Sequence, residues 1–388
     1  MSPILPPATL GLLGGGQLGR FFVSAAHEMG YKVIVLDPEA DCPAGRIADR
    51  HLVAAYDDPA ALATLAAECA AVTTEFENVP AEALAWLESR LPVAPGAAAV
   101  RVCQDRAAEK GFLARHGIPH VPYASIECAD DLANADATLF LAILKTARLG
   151  YDGKGQARVA DRAAALDAFE RFGGAPCVLE KMLPLDCEIS VVLARQPDGS
   201  VVSYPPAENE HEQGILDLSI VPARIDPALA DAARSIAERL AIALDYVGVL
   251  TVEFFVSEGQ LLVNELAPRP HNSGHYTLDA AVTSQFEQQV RALCGLPLGE
   301  TRLHSPAVMA NLLGDIWFSA PGRVAEPDWR QVFAQPAVKL HLYGKSEPRP
   351  ARKMGHLTAV GEDAHRALAN ALVVRKALCP PTMAAADR

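Results

Sequence analysis

The sequence predicts a multidomain α/β and α+β protein: a parallel sheet at the N-terminus, a mixed central segment, and a small β-rich C-terminal segment. Three observations carry this expectation. Short apolar runs alternate with helix-like stretches from residue 9 to about 100, the rhythm of a parallel sheet. At 388 residues the chain exceeds the roughly 100–200 residues of an ordinary domain. Its texture also changes near Gln104 and again past Gly295-Leu296-Pro297, which sets segments at 1–106, 107–297 and 298–388.

The first segment opens with "TLGLLGGGQLGRFFVSAAHEMGYKVIVLD". Leu10–Leu13 and Val33–Leu36 read as strands, with a helix over Phe21–Met29 between them. Asp58-Pro59 caps an Ala/Leu helix, and a further helix covers Pro80–Arg90. In the second segment, Ala107–His116 is helical and stops at Gly117, with Pro119 beyond. Leu139–Lys145, Cys177–Lys181 and Glu188–Ala194 are expected strands. Asp226-Pro227 starts a helix whose face carries Leu229, Ile236, Leu240 and Leu244. "VGVLTVEFFV", "SEGQ" and "LLVNELAPRP" form a β-hairpin.

Composition narrows the classes. Half the residues are hydrophobic and 21% are charged, which is globular. A net charge of −13 argues against a nucleic-acid or anionic-membrane surface, and makes any local basic cluster informative. The eight cysteines form no C-x-x-C and no zinc spacing, and they read as reduced packing residues of a cytoplasmic protein. No run approaches the ~20 apolar residues of a membrane span, and "MSPILPPATL" lacks the pattern of a signal peptide.

Five stretches carry chemistry. Gly14–Gly19 is a G-x-G-x-x-G turn followed by Asp37, the pattern of a dinucleotide site, and any anion could occupy such a turn. The loop Gly150–Gln156 after Lys145 combines three glycines with Lys154, which suits either a phosphate lid or an ordinary hairpin turn. Glu253 and Glu265 lie in apolar strands and fall opposite each other if the hairpin turns at Glu258–Gln260. Buried there, two carboxylates need either a cation such as Mg²⁺ between them or basic neighbours. "NELAPRPHNSGHYT" packs Asn, Arg, His and Ser around prolines just beyond a strand. Lys339, Lys345, Arg349, Arg352 and Lys353 form a basic cluster that is either an anion site or a solvated loop.

Taken together, "GGGQLGR", "TEFENVP", "QDR", "GYDGKGQ", "NELAPRPHNSGHYT" and "ARKMGHL", spread in order over residues 14–357, resemble the ATP-grasp superfamily. Within it they most resemble the N5-carboxyaminoimidazole ribonucleotide synthase (PurK) family. The resemblance implies a Rossmann-like preATP-grasp domain over 1–106, a two-lobed ATP-grasp domain over 107–297 and a small C-terminal domain over 298–388. It implies carboxylation of 5-aminoimidazole ribonucleotide by ATP and bicarbonate through carboxyphosphate, in purine biosynthesis. ATP and Mg²⁺ (Mn²⁺ as an alternative) are the implied cofactors, and a homodimer is implied.

The resemblance also distributes roles. ATP would meet Arg106, Lys145, Gly150, Tyr151, Asp152, Gly153, Lys154, Gly155 and Gln156. Its base and ribose would meet Glu180, Lys181, Leu183, Glu188 and His211, and Asn264 and Glu265 would also face the nucleotide. Glu253 and Glu265 would hold the metal. Lys154, Asn264 and Arg269 would be catalytic. The ribonucleotide would meet Gly16, Gln17, Leu18, Glu75, Tyr151, Asp152, Lys154, Asn272, Ser273, His275, Lys345 and Arg352. Several relatives carry Arg where this chain has Lys154, a point charge in place of a planar fork. On this reading Gly14–Gly19 holds a substrate 5′-phosphate, and Asp37 has no ribose to bind. Three other readings compete: an NAD-dependent oxidoreductase, a nucleotide-binding protein without catalysis, and a ligase related to glycinamide ribonucleotide transformylase or biotin carboxylase.

Overall fold

The computed structural model describes residues 2–150, 155–320 and 323–378. The first sheet is parallel, in the order Arg50–Leu52, Lys32–Leu36, Thr9–Leu13, Ala71–Thr74. Helix Gln17–Glu28 follows its first strand and begins earlier than the sequence suggested, directly at the glycine turn. Asp58 caps helix Pro59–Glu68 by accepting from the amides of Ala60 and Ala61, as the Asp-Pro pair implied.

A second, antiparallel sheet has four strands, in the order Tyr123–Ile126, Cys177–Lys181, Ala142–Thr146, Gln156–Val159. The strand expected at Leu139–Lys145 is shorter, because a 3₁₀ turn at Ala137–Leu139 takes up its start. This sheet sets Lys145 opposite Gln156 on one side and Val178 on the other.

The third sheet has nine strands and reaches across two of the three segments. Its main path runs Gln260–Ala267, Gly248–Ser257, Cys187–Arg195, Ala207–Glu212, Ile215–Val221, Ala307–Leu313, Lys353–Val360, Val338–Leu342. The C-terminal strands therefore extend the central sheet, through Ile215–Val221 paired with Ala307–Leu313. Helix Pro227–Ala243 covers this sheet with Ile236 and Leu240, Leu244 joins the same core from its C-cap, and Leu229 of the expected face packs partly buried against it. Helix Gln285–Leu293 crosses the other boundary: its Phe286, Val290 and Leu293 share a core with Phe22 and Val23 of the first helix. Gln289 on that helix accepts from the Val249 amide at 2.6 Å and donates to Thr73 Oγ1 at 2.8 Å, which ties two sheets together through buried hydrogen bonds.

Candidate active site

The hairpin turns where expected, and Glu253 stands directly opposite Glu265. One feature escaped the sequence. The register slips by one residue, since Phe254 pairs with Val263, and Asn264 is the extra residue of a β-bulge beside the carboxylate pair. Bulges re-aim the side chains around them. Strand Gln260–Ala267 is also the edge of its sheet, so its outer backbone groups need partners. Helix Arg106–Arg115 supplies them: Lys110 Nζ donates to the Asn264 carbonyl at 2.7 Å, and Glu109 accepts from the Leu266 amide at 2.9 Å.

The two carboxylates are not equivalent. Burial pushes Glu265 up, but the Arg106 guanidinium, 2.8 Å from its Oε2, outweighs that and holds it well below the usual carboxylate range. Burial and the facing charge of Glu265 push Glu253 up to about 7. Glu253's nearest partner is His271, at 3.4 Å. Burial and nearby Arg269 keep His271 neutral, and Ser273 occupies its Nδ1, which leaves the proton on Nε2 toward Glu253. The pair thus carries more negative charge than its surroundings neutralise. Asn264 Oδ1 is buried with no hydrogen-bond partner. Surplus oxygen donors of this kind suit a hard divalent cation.

Next to this pair lies a triad of charges. Lys145 Nζ donates to Glu180 Oε2 at 2.6 Å, and Lys110 Nζ lies 3.1 Å from Glu180 Oε1, an ion pair not aligned as a hydrogen bond. Lys110 is wholly buried and Glu180 is 2% exposed. Burial alone would raise Glu180, yet Lys145 and then Lys110 hold it down to about 2. The Glu180 side chain is therefore turned inward onto the two lysines. Lys181, Leu183 and Glu188 are partly exposed near it in sequence, and Glu188 pairs with His211 at 3.1 Å. Glu109 and Lys110 were legible only as charges at the apolar positions of a helix, beside Phe112 and Leu113.

The lid stretch is anchored at both ends. Arg106 reaches the Gly150 carbonyl at 3.3 Å, and the Thr146 amide donates to the Gly155 carbonyl at 2.8 Å. Gly155 has a φ of +68°, and a Cβ there would sit 2.5 Å from Thr146 Oγ1, so only glycine fits. Tyr151, Asp152, Gly153 and Lys154 lie outside the described residues.

The glycine turn departs from expectation. Gly16 and Gly19 donate their amides to the two oxygens of Glu75, at 2.6 and 2.8 Å, and Gly15 donates to Asp37 at 2.7 Å. The helix N-terminus thus already holds an anion, and that anion is Glu75 of the protein itself. Asp37 is saturated by Gly15, Glu39 and the Tyr56 hydroxyl, which removes it as a ribose ligand and with it the basis of a dinucleotide reading. Gln17 is partly exposed, whereas Leu18 packs into the core.

Other expected ribonucleotide contacts also face inward. Asn272 exchanges hydrogen bonds with Asn311, Ser273 accepts from Ser190 at 2.7 Å, and His275 is wholly buried against His356. Arg269 pairs with Glu77, an acceptor that sequence reasoning missed. The C-terminal cluster does reach the N-terminal segment: Arg46 donates to the Gly344 carbonyl, and Gly344 lies close to Arg20. Lys345 donates to the Lys353 carbonyl at 2.7 Å and Arg352 to the Glu347 carbonyl at 2.8 Å.

Comparison with known proteins agrees along the whole chain. A ribonucleotide synthetase preATP-grasp domain matches residues 7–104, an ATP-grasp domain 111–286, and a phosphoribosylaminoimidazole carboxylase C-terminal domain 307–370. An N5-carboxyaminoimidazole ribonucleotide synthase of Brucella melitensis is 48% identical over 359 residues, 92% of this chain and 97% of the relative. The chain belongs to the N5-carboxyaminoimidazole ribonucleotide synthase family. The family enzyme of Bacillus subtilis is 43% identical over 357 residues, 92% of each chain. Among solved structures of the family, an ADP complex superposes with a TM-score of 0.90 at 43% identity, over 97% of this chain and 98% of that one. The Aspergillus clavatus family enzyme, in complex with ADP and 5-aminoimidazole ribonucleotide, gives 0.85 at 30% identity, over 96% and 98%.

Proposed function

We propose that this protein is an ATP-grasp ligase that carboxylates 5-aminoimidazole ribonucleotide with bicarbonate, forming N5-carboxyaminoimidazole ribonucleotide, ADP and phosphate. The observation that carries the reading is Glu253 facing Glu265 beside the Lys145–Glu180–Lys110 triad, in a chain of this family. Bicarbonate attacks the γ-phosphorus of ATP to give carboxyphosphate. The exocyclic amine of the ribonucleotide then takes the carboxyl group, and phosphate leaves. Negative charge gathers during phosphoryl transfer, and preorganised cations stabilise it without a covalent nucleophile.

Arg106 and Lys145 supply fixed charge to the phosphates of ATP. Glu253 and Glu265 would hold Mg²⁺, with Asn264 beside them. Their fit rests on the unneutralised pair and the unpartnered Asn264 oxygen. A bound divalent ion would add charge neutralisation at the phosphates. Arg269, oriented by Glu77, lies between the metal strand and the His271–His275 segment, where the reacting carboxyl group would sit. Lys345 and Arg352 would meet the ribonucleotide phosphate. With Gly16 and Gly19 engaged by Glu75, these cations become the principal phosphate partners, and Glu75 a partner for hydroxyls.

No helix among the described residues is long and apolar enough to cross a membrane, and we infer a cytoplasmic homodimer. The test is phosphate release from MgATP with bicarbonate and 5-aminoimidazole ribonucleotide supplied separately and together. Full turnover should need both. Turnover with formate and glycinamide ribonucleotide instead would favour the transformylase reading.

A further inference from the structure

We propose that Lys110 is a positioning residue for nucleotide binding, acting through Glu180 to keep the ammonium of Lys145 available to the phosphates of ATP. This rests on the assignment of Lys145 to those phosphates. Lys110 is wholly buried, projects from helix Arg106–Arg115, and touches two groups: the Asn264 carbonyl at 2.7 Å and Glu180 Oε1 at 3.1 Å. Glu180 gives its other oxygen to Lys145 at 2.6 Å.

The dry cluster therefore counts two ammonium groups against one carboxylate, a net charge of +1. Without Lys110 it would hold a closed, neutral Lys145–Glu180 pair, and an incoming phosphate would have to compete with a full carboxylate for Lys145. With Lys110 present that carboxylate is shared. Such competition matters most where water is excluded and screening is weak. Glu109 stands on the same helix but accepts from the Leu266 amide, and the ion pairs of both lysines are with Glu180.

A second role is visible on the same side chain, since the Asn264 carbonyl lies on an open sheet edge. If Lys110 only caps that edge, its removal should cost the same whether or not residue 180 is charged. A double-mutant cycle separates the two roles. MgADP affinity would be measured by calorimetry for Lys110→Met, Glu180→Gln and the double variant, with folding checked by circular dichroism. The expected result is at least a ten-fold loss for Lys110→Met in the parent chain, and at most a two-fold loss in the Glu180→Gln background. Equal losses in both backgrounds, or no loss in the parent chain, would overturn the proposal. Should Lys110→Met not fold alone, the double variant against Glu180→Gln still decides, because a loss beyond two-fold there contradicts it. Lys145→Met serves as the control: undiminished MgADP affinity would sink the underlying assignment of Lys145, not merely the part given to Lys110.

Discussion

Where we place the nucleotide, opposite charges pair across strands and one helix: Arg106 with Glu265, both partly exposed, and Lys145 and Lys110 with Glu180, all three buried. Where we place the ribonucleotide, Lys345 and Arg352 project from a loop and donate to backbone carbonyls at 2.7 and 2.8 Å. A carbonyl dipole holds a cation far less firmly than a carboxylate does. The first region is therefore preorganised by the fold, whereas in the second Arg352 can exchange its carbonyl partner for a phosphate when substrate arrives. The contrast matches the chemistry: a reactive intermediate needs fixed charges, and a substrate that enters and leaves needs contacts that can be traded.

The largest expected effects break the preorganised side. Glu265→Gln should lower kcat/KM by roughly 100-fold or more through loss of a metal ligand. It should also lower the Tm of the metal-free protein, because the mostly covered Arg106 guanidinium loses its carboxylate partner. Glu253→Gln should be as damaging to activity yet leave Tm unchanged or higher. The sign follows from burial and the charge of Glu265, which push Glu253 up to about 7 from 4.5. A raised carboxylate contributes stability below its unfolded pKa and loses it as pH rises through the folded value. Metal-free protein should thus weaken from about pH 4.5 to 7, and Glu253→Gln should flatten that decline in a thermal melt.

On the adaptable side, Arg352→Ala should raise the KM for the ribonucleotide roughly 10- to 100-fold, from about 1.5–3 kcal/mol per charge-assisted contact. The KM for ATP should stay within about two-fold. Parallel changes in both constants would erase the distinction between the regions. The smallest effect should come from the thiols. Cys42, Cys69, Cys103, Cys177, Cys187 and Cys294 all have thiols pushed up by burial, and Cys128 is exposed with its thiol toward Asp131. Cys128→Ser should leave turnover within about two-fold of the parent.

What the sequence made legible follows the same division. Strand alternation, the Asp-Pro helix starts and the hairpin turn are local signals, and Glu253 opposite Glu265 follows from turn position alone. The bulge at Asn264 left no local signal, because it is fixed by what the sheet edge meets. Lys110 was hidden for the same reason: Asn264 is 154 residues away in the chain, and Glu180 lies on a strand of another sheet. The glycine turn was read correctly as an anion cradle, but a distant carboxylate, Glu75, fills it. The central sheet crosses residue 298 because strand pairing, not composition, decides where a sheet ends.

The most direct measurement follows oxygen from bicarbonate. If the preorganised charges serve phosphoryl transfer to bicarbonate, turnover with ¹⁸O-labelled bicarbonate should place one labelled oxygen in each phosphate released. The bond between carbon and that oxygen is the one broken when the amine takes the carboxyl group. Mass spectrometry of the phosphate reads this out. Unlabelled phosphate from labelled bicarbonate would mean that the γ-phosphoryl group goes elsewhere, to water or to the ribonucleotide, and would contradict the account.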